Sequence, residues 1–318
     1  MGEFDLIDRF FRRPVRRSPL GVGDDCALLA PAPGMQLAVS TDLLVEGRHF
    51  LPTVDPRRLG HKCLAVNLSD LAACGAAPLA FTLALSLPQA SADWLDPFSR
   101  GLLELADAHG CELVGGDTTR GPLSVCITVF GEVPAGTALL RSGAQVGDDI
   151  YVSGTLGDAR LALEVFRGGL SVPQAVFDMA RARMECPTPR VTLGHALRGI
   201  ATSAIDISDG LAGDLGHILR QSGVGATLQA PVLAGLLAAG DTVSERQRLT
   251  LALSGGDEYE LAFTAPPGMR EAVAQAGARS ATPVTRIGQI EARAGLRVID
   301  AQGRPVEASL RGFDHFSS

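Results

Sequence analysis

Seven aspartates stand in short clusters edged by glycine, serine or threonine, several of them at the ends of apolar runs. They are Asp24 and Asp25 in Gly-Val-Gly-Asp-Asp, Asp42 in Ser-Thr-Asp, Asp70 in Asn-Leu-Ser-Asp, Asp117 in Gly-Gly-Asp-Thr-Thr, and Asp206 and Asp209 in Asp-Ile-Ser-Asp-Gly. Apolar runs that end in such turns suit an α/β chain, with polar groups collected at the tips of its elements. Carboxylates beside small hydroxyl residues suit hard, oxygen-seeking cations such as Mg²⁺. Brought together, they would repel one another strongly unless cations neutralised them.

At 318 residues the chain exceeds the usual size of a single core, so two domains are expected. A net charge of −7 argues against a nucleic-acid surface, which needs a basic face. Apolar runs such as Leu79 to Leu87 are too short to span a bilayer. The arginines at 12, 13, 16 and 17 precede no apolar signal core, so a cytoplasmic protein is expected. The six cysteines are scattered without close pairs, which favours buried reduced thiols over zinc or disulfides. Lys62 is the only lysine, and Gly-His-Lys-Cys is not a phosphate-binding P-loop. A nucleotide-using chain of this kind needs metals, arginines and backbone N–H groups to hold phosphates.

Along the chain, Gln36 to Ser40 reads as a strand that delivers Ser40-Thr41-Asp42 at its end. Pro56 opens a helix that Gly75 and Pro78 stop, with Asn67 and Asp70 three apart on one face. Leu79 to Leu87 is a strand, and Ser91 with Trp94 to His109 a helix. Cys111 to Val114, ending in Gly115-Gly116-Asp117, and Leu123 to Val133 are two more strands. The turn-rich stretch from Gly136 to Asp149 holds the expected boundary, giving domains of 1–138 and 139–318. Beyond it come a strand at Ile150 to Ser153, helices at Leu156 to Arg167 and around His195, and a helix from Gly210 to Gln221. A strand from Tyr259 to Thr264 follows Ser254-Gly255-Gly256-Asp257-Glu258.

Each cluster taken alone has a bland reading. Gly-Val-Gly-Asp-Asp is either a ligand loop or a glycine turn closed by an Asx bond. Ser40, Thr41 and Asp42 offer three adjacent oxygens to a cation, or cap a turn. Asp70 in an apolar helix is expensive if unpaired, which favours a functional role. Gly115-Gly116-Asp117 admits close approach of a phosphate. Asp206 to Gly210 either caps the next helix or exposes N–H groups to phosphate. His49 is a substrate contact or a loop histidine, and Arg141 a phosphate clamp or a loop arginine.

The ordered set is more specific. Gly23-Asp-Asp-Cys-Ala27, Ser40-Thr-Asp-Leu-Leu-Val-Glu-Gly-Arg-His-Phe50 and Ala65-Val-Asn-Leu-Ser-Asp-Leu-Ala-Ala73 come in that order. Gly115-Gly-Asp-Thr-Thr119, Arg141-Ser-Gly-Ala144, Ala204-Ile-Asp-Ile-Ser-Asp-Gly-Leu211, Leu253-Ser-Gly-Gly-Asp-Glu-Tyr-Glu-Leu261 and Gly312-Phe-Asp-His-Phe316 follow. Together they resemble the thiamine-phosphate kinase family, part of the ATP-binding superfamily of aminoimidazole ribonucleotide synthetase and selenophosphate synthetase, over nearly the whole chain.

The resemblance implies an α/β (α+β) fold with two domains. The N-terminal one would bind ATP and Mg²⁺ and form a barrel across a homodimer; the C-terminal one would be α/β. It implies ATP-dependent phosphorylation of thiamine phosphate to thiamine diphosphate by direct in-line transfer, with several Mg²⁺ ions and no general base. Asp25, Ser40, Thr41, Asp42, Asp70, Asp117, Asp206 and Asp209 would be metal ligands. Ser99, Gly116, Asp117, Arg141 and Ser208 would contact ATP, and His49, Asp257, Glu258 and Phe313 thiamine phosphate. The family reads Gly-Gly-Glu-Asp where this chain has Gly-Gly-Asp257-Glu258, so the acid that meets the substrate is open. A sister enzyme acting on another acceptor and a non-catalytic Mg·nucleotide-binding regulator are the competing readings.

Overall fold

The structure, a computed structural model, describes residues 2–307, so Phe313 lies outside the described residues. The chain forms two compact units, one of Met1–Leu71 with Ala76–Gly136, the other of Ala72–Gly75 with Thr137–Ser318.

The first unit holds α1 (Glu3–Phe10), β1 (Met35–Val45), α2 (Pro56–Ala73), β2 (Ala77–Leu87), α3 (Ala92–His109), β3 (Glu112–Arg120) and β4 (Ser124–Pro134). Its sheet runs β1-β4-β2-β3. β2 and β3 are parallel, joined through α3, while β4 is antiparallel to both β1 and β2. Parallel neighbours need a crossover of this kind, and a hairpin cannot supply it. Phe81, Leu85, Ile127, Leu64, Leu68 and Phe98 are fully buried in this unit.

Two strands run further than their apolar letters suggest. β1 continues through Ser40-Thr41-Asp42 because every residue from Met35 to Val45 is paired with β4; Asp42 sits opposite Ile127, inside the ladder. β3 likewise passes through Gly115-Gly116-Asp117, with Asp117 opposite Ala84. Gly116 has φ 151°, and a Cβ there would lie 1.9 Å from the Leu83 carbonyl oxygen, so this pairing demands glycine. Ladder bonding has carried polar residues into the two edge strands of the sheet.

The second unit contains β5 (Asp149–Ser153), α4 (Asp158–Phe166), α5 (Gln174–Glu185), α6 (Val191–Leu197), β6 (Ser203–Asp206), α7 (Leu211–Ser222), β7 (Gly225–Gln229), α8 (Ala230–Ala234), α9 (Glu245–Ser254), β8 (Leu261–Ala265), α10 (Arg270–Arg279), β9 (Val284–Glu291) and β10 (Gly295–Ile299). Its six-stranded mixed sheet is ordered β10-β7-β9-β5-β8-β6. Ile150, Val152, Ile207, Leu215, Ile218 and Leu228 form part of one core cluster here. Among the described residues, no helix is long and apolar enough to cross a membrane.

Candidate functional site

In the first unit a cavity of about 580 Å³ is lined by Asp8 and Arg12 near the N-terminus, by Asp24 and Asp25, and by Gly115 to Thr118 on β3. The segment leading to Asp24 is pinned by Glu112, whose side chain accepts the backbone N–H groups of Arg16, Arg17 and Ser18 at 2.5–2.9 Å. Partial burial works to raise the Glu112 pKa, but these donors outweigh it and hold the carboxyl below its usual range. Asp24 accepts the Asp25 N–H at 3.2 Å, closing its own turn, while Asp25 is exposed on the cavity wall. Gly116 and Asp117 face the same space.

A second acidic group lies where β1 meets α2. The Ser40 hydroxyl donates to Asp70 at 2.5 Å, and the Asp42 N–H donates to the Asn67 side chain at 3.2 Å. Asn67 and Asp70 do share a helix face, and that face meets β1. Ser40, Thr41 and Asp42 do not form one three-oxygen clasp, however. Successive side chains in a strand point to opposite faces, so Thr41 is turned away and its hydroxyl meets that of Thr128 at 2.9 Å. Just past β1, His49 Nδ1 accepts the Val45 N–H at 3.0 Å, which fixes the ring against the strand end. Ser99 stands apart: it is 6% exposed on α3, with its hydroxyl on the Asp96 carbonyl at 3.1 Å.

In the second unit the two remaining motifs are knitted together. The Asp257 and Tyr259 N–H groups donate to the Ser208 and Ile207 carbonyls, and the Ile207 N–H to the Glu260 carbonyl, all at 2.8 Å. A Cβ on Gly256 would fall 2.6 Å from the Ser208 carbonyl oxygen, so glycine permits this approach. Asp206 ends β6 at 5% exposure, and Ser208 and Asp209 are half-buried just beyond it. The N–H groups of Ser208, Asp209 and Gly210 are not open to phosphate: all three donate to the Asp214 carboxylate at 3.1 Å. Burial and the neighbouring Asp209 push the Asp214 pKa up to about 7 against the pull of these donors. Arg141 is exposed, and its charge, after burial and that of Arg220, helps hold down the pKa of His217 on α7.

The acidic pair separates into an inner and an outer member. Glu258 is 2% exposed and accepts the Gly157 and Ala159 N–H groups at 2.9 and 3.1 Å, at the start of α4. Burial, with Asp158 nearby, raises its pKa well above the usual range. Asp257 is half-buried, has φ 65°, and accepts the Tyr259 hydroxyl at 3.1 Å. Among the described residues, no group of three or more His, Cys, Asp or Glu side chains is gathered tightly enough to hold a metal ion. Neither Asp214 nor Tyr259 emerges from the sequence reading. The only trace of Asp214 there is an acid in the first turn after Asp-Gly.

Two family matches cover most of this frame: AIR synthase related protein, N-terminal domain, over residues 23–133, and its C-terminal domain over 145–301. The thiamine-monophosphate kinase of Salmonella typhimurium strain LT2 is 48% identical over 323 residues, covering 100% of this chain and 99% of that protein. The chain belongs to the thiamine-monophosphate kinase family. The crystal structure of thiamine-monophosphate kinase from Stenotrophomonas maltophilia K279a superposes with a TM-score of 0.84 at 45% identity, covering 93% of this chain and 94% of that one. A structure of AaThiL complexed with AMPPCP and TMP matches with a TM-score of 0.74 at 28% identity, over 98% and 96% of the two chains. As a thiamine-monophosphate kinase family member the chain is a phosphotransferase.

Proposed function

We propose that this chain transfers the γ-phosphoryl group of ATP to the phosphate of thiamine phosphate, giving thiamine diphosphate. The observation that carries the reading is the knitting of the Asp257 loop to the Ser208-Asp209 loop. It sets an acid suited to the positive thiazolium ring beside a loop whose hydroxyl and carboxylates suit metal-bound phosphate. The AaThiL complex with an ATP analogue and TMP supports the same pairing of ligands.

The residues fit Mg²⁺. Every candidate is a hard oxygen donor, and Lys62, the only lysine, is 3% exposed in α2. Asp25, Ser40, Asp42, Asp70, Asp117, Asp206 and Asp209 would hold the ions; the Thr41 side chain, turned to the other face, is left out. Bound Mg²⁺ supplies charge neutralisation where two polyanions must meet. Arg141 and Ser208 bind ATP, with Gly116 letting the backbone come close. His49 and Asp257 orient thiamine phosphate. The acceptor oxygen is already anionic near neutral pH, so the chain needs no general base and works by positioning. Asp257 takes the substrate role and Glu258 does not, because Glu258 is buried and engaged with the start of α4.

The exposed face of edge strand β1 bears Leu37, Val39 and Leu43 at 43%, 58% and 54% exposure. Within one chain this sheet is open. A second copy would cover that face and complete a barrel across a homodimer, and sedimentation tests it: a monomer throughout the working concentration range refutes the dimer. For the activity, ADP release is measured with thiamine phosphate as sole acceptor. Absence of turnover refutes the kinase reading; ATP binding without turnover favours a regulator.

A further inference from the structure

We infer that Asp214 is the positioning residue of the Ser208-Asp209 loop, an internal acceptor that fixes Ile207 to Gly210 so that side chains, and not backbone amides, are presented to ligands. The inference rests on the reading of Ser208 and Asp209 as ATP and Mg²⁺ contacts. Three consecutive N–H groups, from Ser208, Asp209 and Gly210, converge on one Asp214 oxygen at 3.1 Å each. Successive amides of this kind form a concavity that binds anions. Here the group that fills the concavity is the Asp214 carboxyl, part of the chain itself, four residues beyond Gly210 and one turn into α7, and it is only 4% exposed.

The consequence is chemical. With its amides occupied, the loop cannot cradle a phosphate through its backbone, as a free helix N-terminus would. Its side-chain groups are the Ser208 hydroxyl and the Asp206 and Asp209 carboxylates, which suit cations better than bare phosphate. The same loop is hydrogen-bonded to Asp257 and Tyr259, so an error in its position passes to the acid on the thiamine side. Asp214 therefore touches no ligand itself yet acts on both halves of the second unit's site. This is the role of an outer-shell partner that orients the ligand-bearing groups.

The test compares wild type with Asp214→Asn, which keeps the volume and one accepting oxygen, and Asp214→Ala, which keeps neither. Calorimetric binding of a non-hydrolysable Mg·ATP analogue is measured beside amide hydrogen exchange. The expected result is faster exchange at 208–210 with β6 and β8 still protected, and affinity weakened about 10- to 100-fold, more by alanine than by asparagine. KM for thiamine phosphate should rise in the same order. Wild-type affinity in both variants overturns the inference, as does exchange that rises evenly through the whole unit, which marks a merely structural residue. Failure of the wild type to bind the analogue overturns it too. A wild type that binds the analogue but does not turn over thiamine phosphate defeats the kinase reading alone, and the binding and exchange results still decide the role of Asp214.

Discussion

The Tyr259 hydroxyl donates to the Asp257 carboxylate at 3.1 Å, and both residues hold left-handed backbone, at φ 52° and 65°. Neither is glycine, so each conformation costs about 1–2 kcal/mol, and surrounding structure must impose it. The backbone bonds to Ile207 and Ser208 do so. Strain kept at a loop of this kind is a mark of function. Removing only the hydroxyl, with Tyr259→Phe, should raise KM for thiamine phosphate about fivefold to tenfold, the equivalent of one ordinary hydrogen bond. KM for ATP should stay put. Steady-state kinetics with each substrate varied in turn checks this, and an equal rise in both would show a general loss of loop structure.

Asp257 and Glu258 should separate cleanly. Asp257→Asn removes the outward charge and should weaken thiamine phosphate by at least about tenfold, or roughly 1.4 kcal/mol. Glu258→Gln keeps the shape and an oxygen to accept the Gly157 and Ala159 N–H groups, and should leave both KM values within about twofold. If Glu258→Gln carries the larger KM effect, the assignment of the two acids is reversed.

Asp42 lies inside the β1 ladder and its backbone is held by Asn67, so its side chain is not needed for the strand. Asp42→Asn should lower kcat by more than about 100-fold, exceeding the usual loss on removing an outer-shell partner, while the thermal midpoint changes little. Near-normal turnover would remove Asp42 from the cation site.

The strap at residues 16–18 offers a physical readout of how the Asp25 loop is held. Glu112→Gln keeps an accepting oxygen but loses the charge that gathers three N–H groups. Trypsin should then cut at Arg16 and Arg17 several-fold faster, and KM for ATP should rise. Unchanged cleavage would mean that the segment is held by its other contacts.

Asp149 predicts a pH dependence far from the ligands. It is fully buried in β5, with Arg270 and Arg286 bonded to its two oxygens at 2.6–3.0 Å. The hydrogen bond from Arg270, then Arg286, outweigh burial and hold its pKa below the ordinary aspartate value. A depressed carboxylate stabilises the fold fully above its unfolded pKa of about 3.9, and that contribution is lost as pH falls through the lower folded value. Asp149→Asn should therefore destabilise the fold near neutrality, by less than a fully buried pair would because both arginines are about half exposed, and the difference from wild type should shrink below about pH 4. Chemical denaturation at pH 7 and pH 3 measures it; a pH-independent gap would assign the effect to packing.

Much of the first unit was legible because its signals are local. Pro56, Gly75 and the apolar runs mark α2, β2, α3 and β4, and the order of strands and helices follows from them. The limits of β1 and β3 were not, since Ser40-Thr41-Asp42 and Gly115-Gly116-Asp117 look like turns until a partner strand pairs with them. In the second unit β7, β9 and β10 carry too few regular apolar positions to stand out. Leu249 to Leu253, a short apolar run, belongs to α9, and its amphipathic period is too brief to read.

The sequence by itself determined the family and the chemistry on offer: ordered oxygen donors, a single lysine, and acids beside glycine. These are properties of residue type and order along the chain, which need no folded partner to be read. Only the tertiary structure decided which way each donor faces. Strand alternation turned Thr41 away from Ser40 and Asp42, a buried turn of α4 drew Glu258 inward and left Asp257 outside, and Asp214 closed on amides that looked open. Each outcome depends on a hydrogen-bond partner distant in sequence or hidden within a helix, and no local pattern names that partner.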